Sequence, residues 1–156
     1  MASGLTNTGK MRILEMAFRN GMDSAAIDTS PYFIALATSA ATLTALTELF
    51  DTTVQIAVGS GYADGGISFA RDSATWDILA MDTVTGYGYI RLKDIVWTAA
   101  GGSIPASGGG AMYALITDDN ALVGSRKVYG WIDLTTARSI GNGATLTLQD
   151  IELRIT

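Results

Sequence analysis

The chain has no histidine and no cysteine, and Asp, Glu, Lys and Arg together make up only 16% of its 156 residues. Without imidazole or thiol it lacks the commonest general base, the commonest transition-metal ligand and the strongest side-chain nucleophile, which excludes most catalytic arrangements. Disulfides are excluded too, so cysteine usage says nothing about redox compartment. No enzymatic activity, no cofactor and no metal is expected. Ten basic residues stand against fifteen acidic ones, for a net charge of −5. That balance argues against direct nucleic-acid binding and against an anionic membrane surface, because phosphate neutralisation needs clustered Lys and Arg and the closest approach is the pair Arg126-Lys127. Met1-Ala2-Ser3-Gly4 opens into polar residues and lacks the basic-then-apolar pattern of a secretory signal. The uncharged stretch from Thr29 to Thr47 is broken by Pro31 and by hydroxyl residues. It therefore fails as a membrane span, which needs about 20 predominantly apolar residues.

What the chain does have is apolar surface: 48% hydrophobic residues and a mean hydropathy of +0.28. A domain of this size buries roughly 68–70% of its unfolded surface. The apolar excess must go into a larger core or into contacts with other chains, which predicts an oligomer or a subunit of an assembly.

Residues 10–19 carry Met11, Leu14 and Phe18 on one stripe with Ala17 beside it, the spacing of a short amphipathic helix. Thr8 or Asn7 can cap its start and Asn20-Gly21 can end it. After Gly21 the pattern changes to short β-like runs: Tyr32 to Ala37 behind Pro31, Gly66 to Phe69, Trp76 to Leu79, Tyr87 to Thr98, Ala111 to Ile116, Val128 to Ile132, and a terminal run from Ala144. Leu46 to Val58 is ambiguous between helix and strand and is expected to be partly irregular. In Tyr87 to Thr98 both faces are apolar, which predicts sandwich burial on one side and a subunit contact on the other. In the terminal run Leu146 and Leu148 are even-numbered, while Ile151, Leu153 and Ile155 are odd. One extra residue at Gln149-Asp150 would produce that shift, so a bulge or a change of sheet is expected there. The Gly-rich stretch 101–110 reads as a loop within one domain. The expected architecture is all-β, a jelly-roll-like β-sandwich over residues 10–156 with a short N-terminal α-helix, preceded by a flexible arm at 1–9.

Three motifs invite chemistry and are outweighed by structural readings. The glycines of Gly59 to Gly66 miss the dinucleotide-binding spacing and precede a strand, so they read as a turn with Tyr62 packed on the sandwich edge. Asp118, Asp119 and Asn120, with Asp72 or Asp133, lack the spacing of a calcium loop and read as a capped hairpin turn. Asp64, Asp72, Asp77, Asp82 and Asp94 lie near aromatics, but no carboxylate has the apolar setting of a glycosidase acid. Trp76, Trp97 and Trp131 read as core more readily than as sugar-stacking platforms.

The whole chain resembles a group of small tailed-bacteriophage virion proteins. The likeness lies in Leu5-Thr6-Asn7-Thr8-Gly9-Lys10 with its helix through Phe18-Arg19, in Tyr32 to Ala37, in Gly61-Tyr62 and Gly66 to Phe69, in Leu92 to Ala99, and in Gly143 to Leu148 with the terminal β run. Members are capsid decoration (cement) proteins or carry tail-fibre-like labels. The resemblance implies a homo-oligomer, a trimer in preference to a dimer, that binds the major capsid protein on the outside of the virion head after assembly in the host cytoplasm. Ala2, Ser3, Gly4, Leu5, Tyr87, Tyr89 and Trp97 are the expected partner-binding residues. The alternative is a tail-associated receptor- or glycan-binding module using Tyr87, Tyr89 or Trp76, with a polysaccharide-cleaving enzyme third.

Overall fold

The computed structural model describes residues 3–6, 31–70, 74–82, 84 and 87–155. The strands among them are β1 (Ser3–Leu5), β2 (Tyr32–Ala37), β3 (Ile67–Phe69), β4 (Ile78–Asp82), β5 (Tyr87–Leu92), β6 (Ile95–Thr98), β7 (Ala111–Thr117), β8 (Val128–Arg138), β9 (Thr145–Leu148) and β10 (Ile151–Ile155). Among the described residues all strand pairs are antiparallel, so the chain is all-β. The expected helix at 10–19 lies outside the described residues, as do 1–2 and 7–9 of the expected arm.

A five-stranded sheet runs β1-β8-β7-β2-β3. Its central strands are apolar at successive positions because both faces are covered. Ile34, Leu36, Ala114 and Ile116 join Ile132 and Leu134 in the main core. Ala35, Ala37 and Leu115 point the other way, into a second core with Ala41, Phe50 and Val128. Each large side chain buried in this way contributes about 1.5–3 kcal/mol.

The main core is closed by a bent ribbon, widened at one end by β4 into a three-stranded sheet β10-β5-β4 and two-stranded, β6-β9, at the other. β5 pairs with β10, and the continuations of the same two chain segments, β6 and β9, pair with each other. Ile151 faces Leu92 and Leu148 faces Ile95. Both chains therefore advance three residues across the corner and the register does not slip. An odd advance moves each side chain to the opposite face of its strand. Leu92, Ile95, Leu148 and Ile151 are nonetheless all buried in one core, so the ribbon rolls over as it bends. Gln149 Nε2 donates to Asp94 Oδ2 at 3.1 Å across the corner, and Asp150 takes φ 54°.

The phase shift at Gln149-Asp150 is thus a change of sheet. The continuous run expected from Tyr87 to Thr98 is broken at Lys93-Asp94 by the same corner, which leaves Val96 exposed while Ile95 and Trp97 turn inward. Ile155, expected on the inner row, ends its strand exposed opposite Gly88, which has no side chain to pack against. The strand expected from Trp76 begins at Ile78, because Thr75 accepts a backbone bond from Lys93 and Trp76 turns into a ring cluster with Tyr32 and Phe69. β8 runs on past Ile132 to Arg138. It alternates as far as Leu134, then its register against β7 shifts beside Thr135, which holds φ 62°. Within the expected arm, Ser3–Leu5 is a strand on the edge of β8, and Leu5 and Thr6 are buried.

Leu148 lies at the corner and is buried. An unpaired carboxylate there costs several kcal/mol, comparable to the whole stability of a small domain. Leu148→Asp is expected to abolish the cooperative thermal transition seen by circular dichroism; a normal melt would contradict the placement of this strand.

Candidate functional site

The second core, on β2 and β7, is closed by the chain itself, whereas the expected subunit contact was on the second face of Tyr87 to Thr98. Residues 38–58 fold back over Ala35, Ala37 and Leu115. Thr38 N donates to Val54 O at 2.8 Å, Ile56 N to Leu36 O at 3.1 Å, and Phe50 N to Arg126 O at 3.0 Å. As the pattern implied, this segment is irregular, with one 3-10 turn at Thr52–Val54 and isolated bridges at Leu49 and Gln55.

From Thr38 to Thr47 the lid carries no charge. Threonine hydroxyls satisfy its backbone locally: Thr38 Oγ1 accepts from Ala40 N, Thr44 Oγ1 from Leu46 N and Thr47 Oγ1 from Thr44 N. Such side-chain turns stabilise a loop without ionic groups. They also set Leu46 outward, 77% exposed. Beside it, Ala41, Leu43, Leu49, Val54 and Leu115 line a small open cavity, with Leu49 itself 48% exposed. Leu49 bridges to Lys127, so the lid is paired with the loop 118–127, which exposes Leu122. Isolated exposed leucines are ordinary. Three of them lie on two paired loops, one of which carries the uncharged segment and a cavity of mixed lining that Asp51 shares, and together they have the make-up of a contact surface.

The base of this face is rigid. Tyr62 is buried, its hydroxyl accepting from Leu36 N at 2.8 Å where β3 no longer pairs with β2. Gly66 sits against β2 so closely that an added Cβ would lie 1.9 Å from Ile34 O, at φ +83°. The loop 59–66 is thus a packed turn, and Tyr62, expected on a sandwich edge, lies in the main core. Arg126 is buried, stacks 3.9 Å from the Phe33 ring centroid, and donates to Gly65 O and Asn120 O. Burial pushes its pKa down against the opposing pull of Asp118, Asp64 and Asp119. Half of the most basic pair in the sequence is therefore spent inside the fold.

Of the expected partner-binding residues, Ser3, Gly4 and Leu5 lie together on β1, with Leu5 buried. Ala2 lies outside the described residues. Tyr87 and Tyr89 are on β5, and Tyr89 is half-buried with the Arg91 guanidinium 6.0 Å from its ring centroid. Trp97 is only 3% exposed and belongs to the main core, where no partner reaches it. Alternation on β6 points it inward together with Ile95. Beside Tyr89, Arg91 and Arg154 both bond Glu152. Burial alone would raise the Glu152 pKa, but these two guanidiniums hold it below its usual value. Asp118 Oδ1 accepts from Asn120 N and Lys127 N, which makes it a turn cap, and Asp72 lies outside the described residues. Among the described residues no three acidic groups converge. Leu46, Leu49 and Leu122 escaped the sequence reading. The available signal was the uncharged stretch ending at Thr47, which had been weighed only as a membrane span. No helix among the described residues is long and apolar enough to cross a membrane.

Comparison with protein-family models, with curated proteins and with solved structures gave no match.

Tyr62→Phe leaves the buried Leu36 N–H without its acceptor and is expected to cost about 1–3 kcal/mol in urea unfolding. Burial raises the pKa of the Tyr62 phenol above its ordinary 10.0. The folded chain thus keeps a proton that the unfolded chain releases. Its contribution to stability is complete below pH 10 and declines as pH rises beyond it. The wild-type urea midpoint should drop more steeply above pH 10 than that of Tyr62→Phe; parallel curves would contradict this.

Proposed function

We propose that the chain is a structural virion protein, a jelly-roll-like capsid decoration subunit that binds the outer surface of a phage head and braces neighbouring major capsid subunits. The carrying observation is the uncharged stretch Thr38–Thr47 of the lid with Leu46 and Leu49 exposed at its end, Leu49 lining a small open cavity. The resemblance to small tailed-phage virion proteins supports the same reading. Its mechanism is burial. Leucines seated across a seam between shell subunits oppose its opening under internal pressure, and many identical copies make modest contacts add up. The acidic balance of the chain keeps it off the packaged nucleic acid. The tail-associated glycan-binding reading draws less support: Trp97 is buried, Tyr89 is half-buried beside Arg91, and Trp76 is packed among other rings.

The double variant Leu46→Glu/Leu49→Glu changes two exposed side chains and is expected to keep its Tm. Each lost burial is worth about 1.5–3 kcal/mol, and about 1.4 kcal/mol is a tenfold change in affinity. Binding to purified heads that lack the protein, measured by co-sedimentation, should therefore weaken at least about tenfold. Undiminished binding by the folded variant would refute the proposed face, and wild-type protein found on tails alone would refute the head assignment.

A further inference from the structure

The edge of β8 is a built receptor for the tetrapeptide Ser3-Gly4-Leu5-Thr6. Ser3, Gly4 and Leu5 pair with Ile132, Trp131 and Gly130. Thr6 is fully buried, its N–H donating to Tyr129 O at 3.0 Å and its Oγ1 to Val128 O at 2.5 Å. Gly4 lies close to the Trp131 indole: an added Cβ would sit 3.2 Å from the ring, so a larger residue would fit only if the indole gave way by a few tenths of an ångström. Leu5 enters the main core together with Leu153 of β10, and β1 packs beside β10 as well as pairing with β8. β1 thereby closes the seam between the five-stranded sheet and the ribbon. It does so with only three paired residues, and residues 7–30 join it to Pro31. That connection spans up to about 80 Å when extended, so its length does not confine the strand to its own β8.

We propose that the β8 edge accepts this segment from a second copy of the chain, so that copies are joined by exchange of β1. An exchanged strand makes the same contacts as a retained one, which makes exchange a low-cost route to oligomers, and an added edge strand is a common mode of recognition. Glycine at position 4, leucine at 5 and threonine at 6 fix its register. The inference does not depend on the head assignment.

Because the chain has no cysteine, introduced thiols report this directly. Isotopically labelled Gly4→Cys chains are mixed with unlabelled Trp131→Cys chains, oxidised and digested. Mass spectrometry is expected to find a disulfide joining position 4 of a labelled chain to position 131 of an unlabelled one. A bond formed only within single chains of the Gly4→Cys/Trp131→Cys double variant, with none in the mixture, would overturn the proposal. If neither preparation is oxidised, the chain lacking residues 2–6 decides by light scattering. Monomers from that chain where the parent forms oligomers support exchange, and an unchanged oligomeric state, including a parent that is already monomeric, overturns it.

Discussion

The fold depends on one constraint: β2 and β7 are apolar on both faces, so neither face can be left to water. Ile34, Leu36, Ala114 and Ile116 demand cover on one side, and Ala35, Ala37 and Leu115 on the other. The chain meets the first demand with a regular element, the bent ribbon, and the second with an irregular one, the lid over Phe50 and Ala41. A ribbon can exclude water with a ladder of backbone bonds. A loop must satisfy its backbone by other means, and here threonine hydroxyls, the Asp51 carboxylate and scattered backbone bonds do so. The outward Leu46 is a by-product of that solution, since the stretch from Thr38 to Thr47 is folded with hydroxyls and has no need of charge.

Much of the sheet was legible in the sequence. Tyr32–Ala37 is a strand with the bounds that its composition implied, and Ala111–Thr117 differs by one residue. The parity change between Leu148 and Ile151 was readable because period-2 alternation assigns each residue to a face. Its counterpart at Lys93-Asp94 was harder to see. Tyr89, Ile90, Leu92, Ile95, Val96 and Trp97 are all strand formers, and apolar residues on both faces to either side of Lys93-Asp94 conceal a change of face that clean alternation with polar residues would reveal. The hydrophobic pattern identified strands that needed cover on both sides and pointed to a subunit as the second cover of Tyr87 to Thr98; on β2 and β7 that cover is the chain's own loop.

The functional residues were less legible for a related reason. Tyr89 and Trp97 were chosen for residue type, yet facing decides availability: Trp97 shares the inward face with Ile95, and Tyr89 lies under an arginine. Ser3, Gly4 and Leu5 were read as part of a flexible arm over residues 1–9 because that segment is polar and short of charge. The lack of a side chain lets Gly4 lie flat on Trp131, a complementarity invisible without knowing that β8 is its neighbour. Exposure of Leu46 follows from the hydroxyl-closed turn at Thr44, a local motif that hydropathy does not register.

The ribbon corner sets a rule for how this protein can vary in length. Its two chain segments, far apart in sequence, turn together with equal numbers of residues between the last pair of one sheet and the first pair of the next. A single-residue insertion at 93–94 would transpose every side chain of β6 relative to its partners unless matched by one at 149–150. Descendants of this chain can therefore lengthen the loops at 101–110 or 118–127 one residue at a time, whereas the corner can change only by paired insertions or deletions.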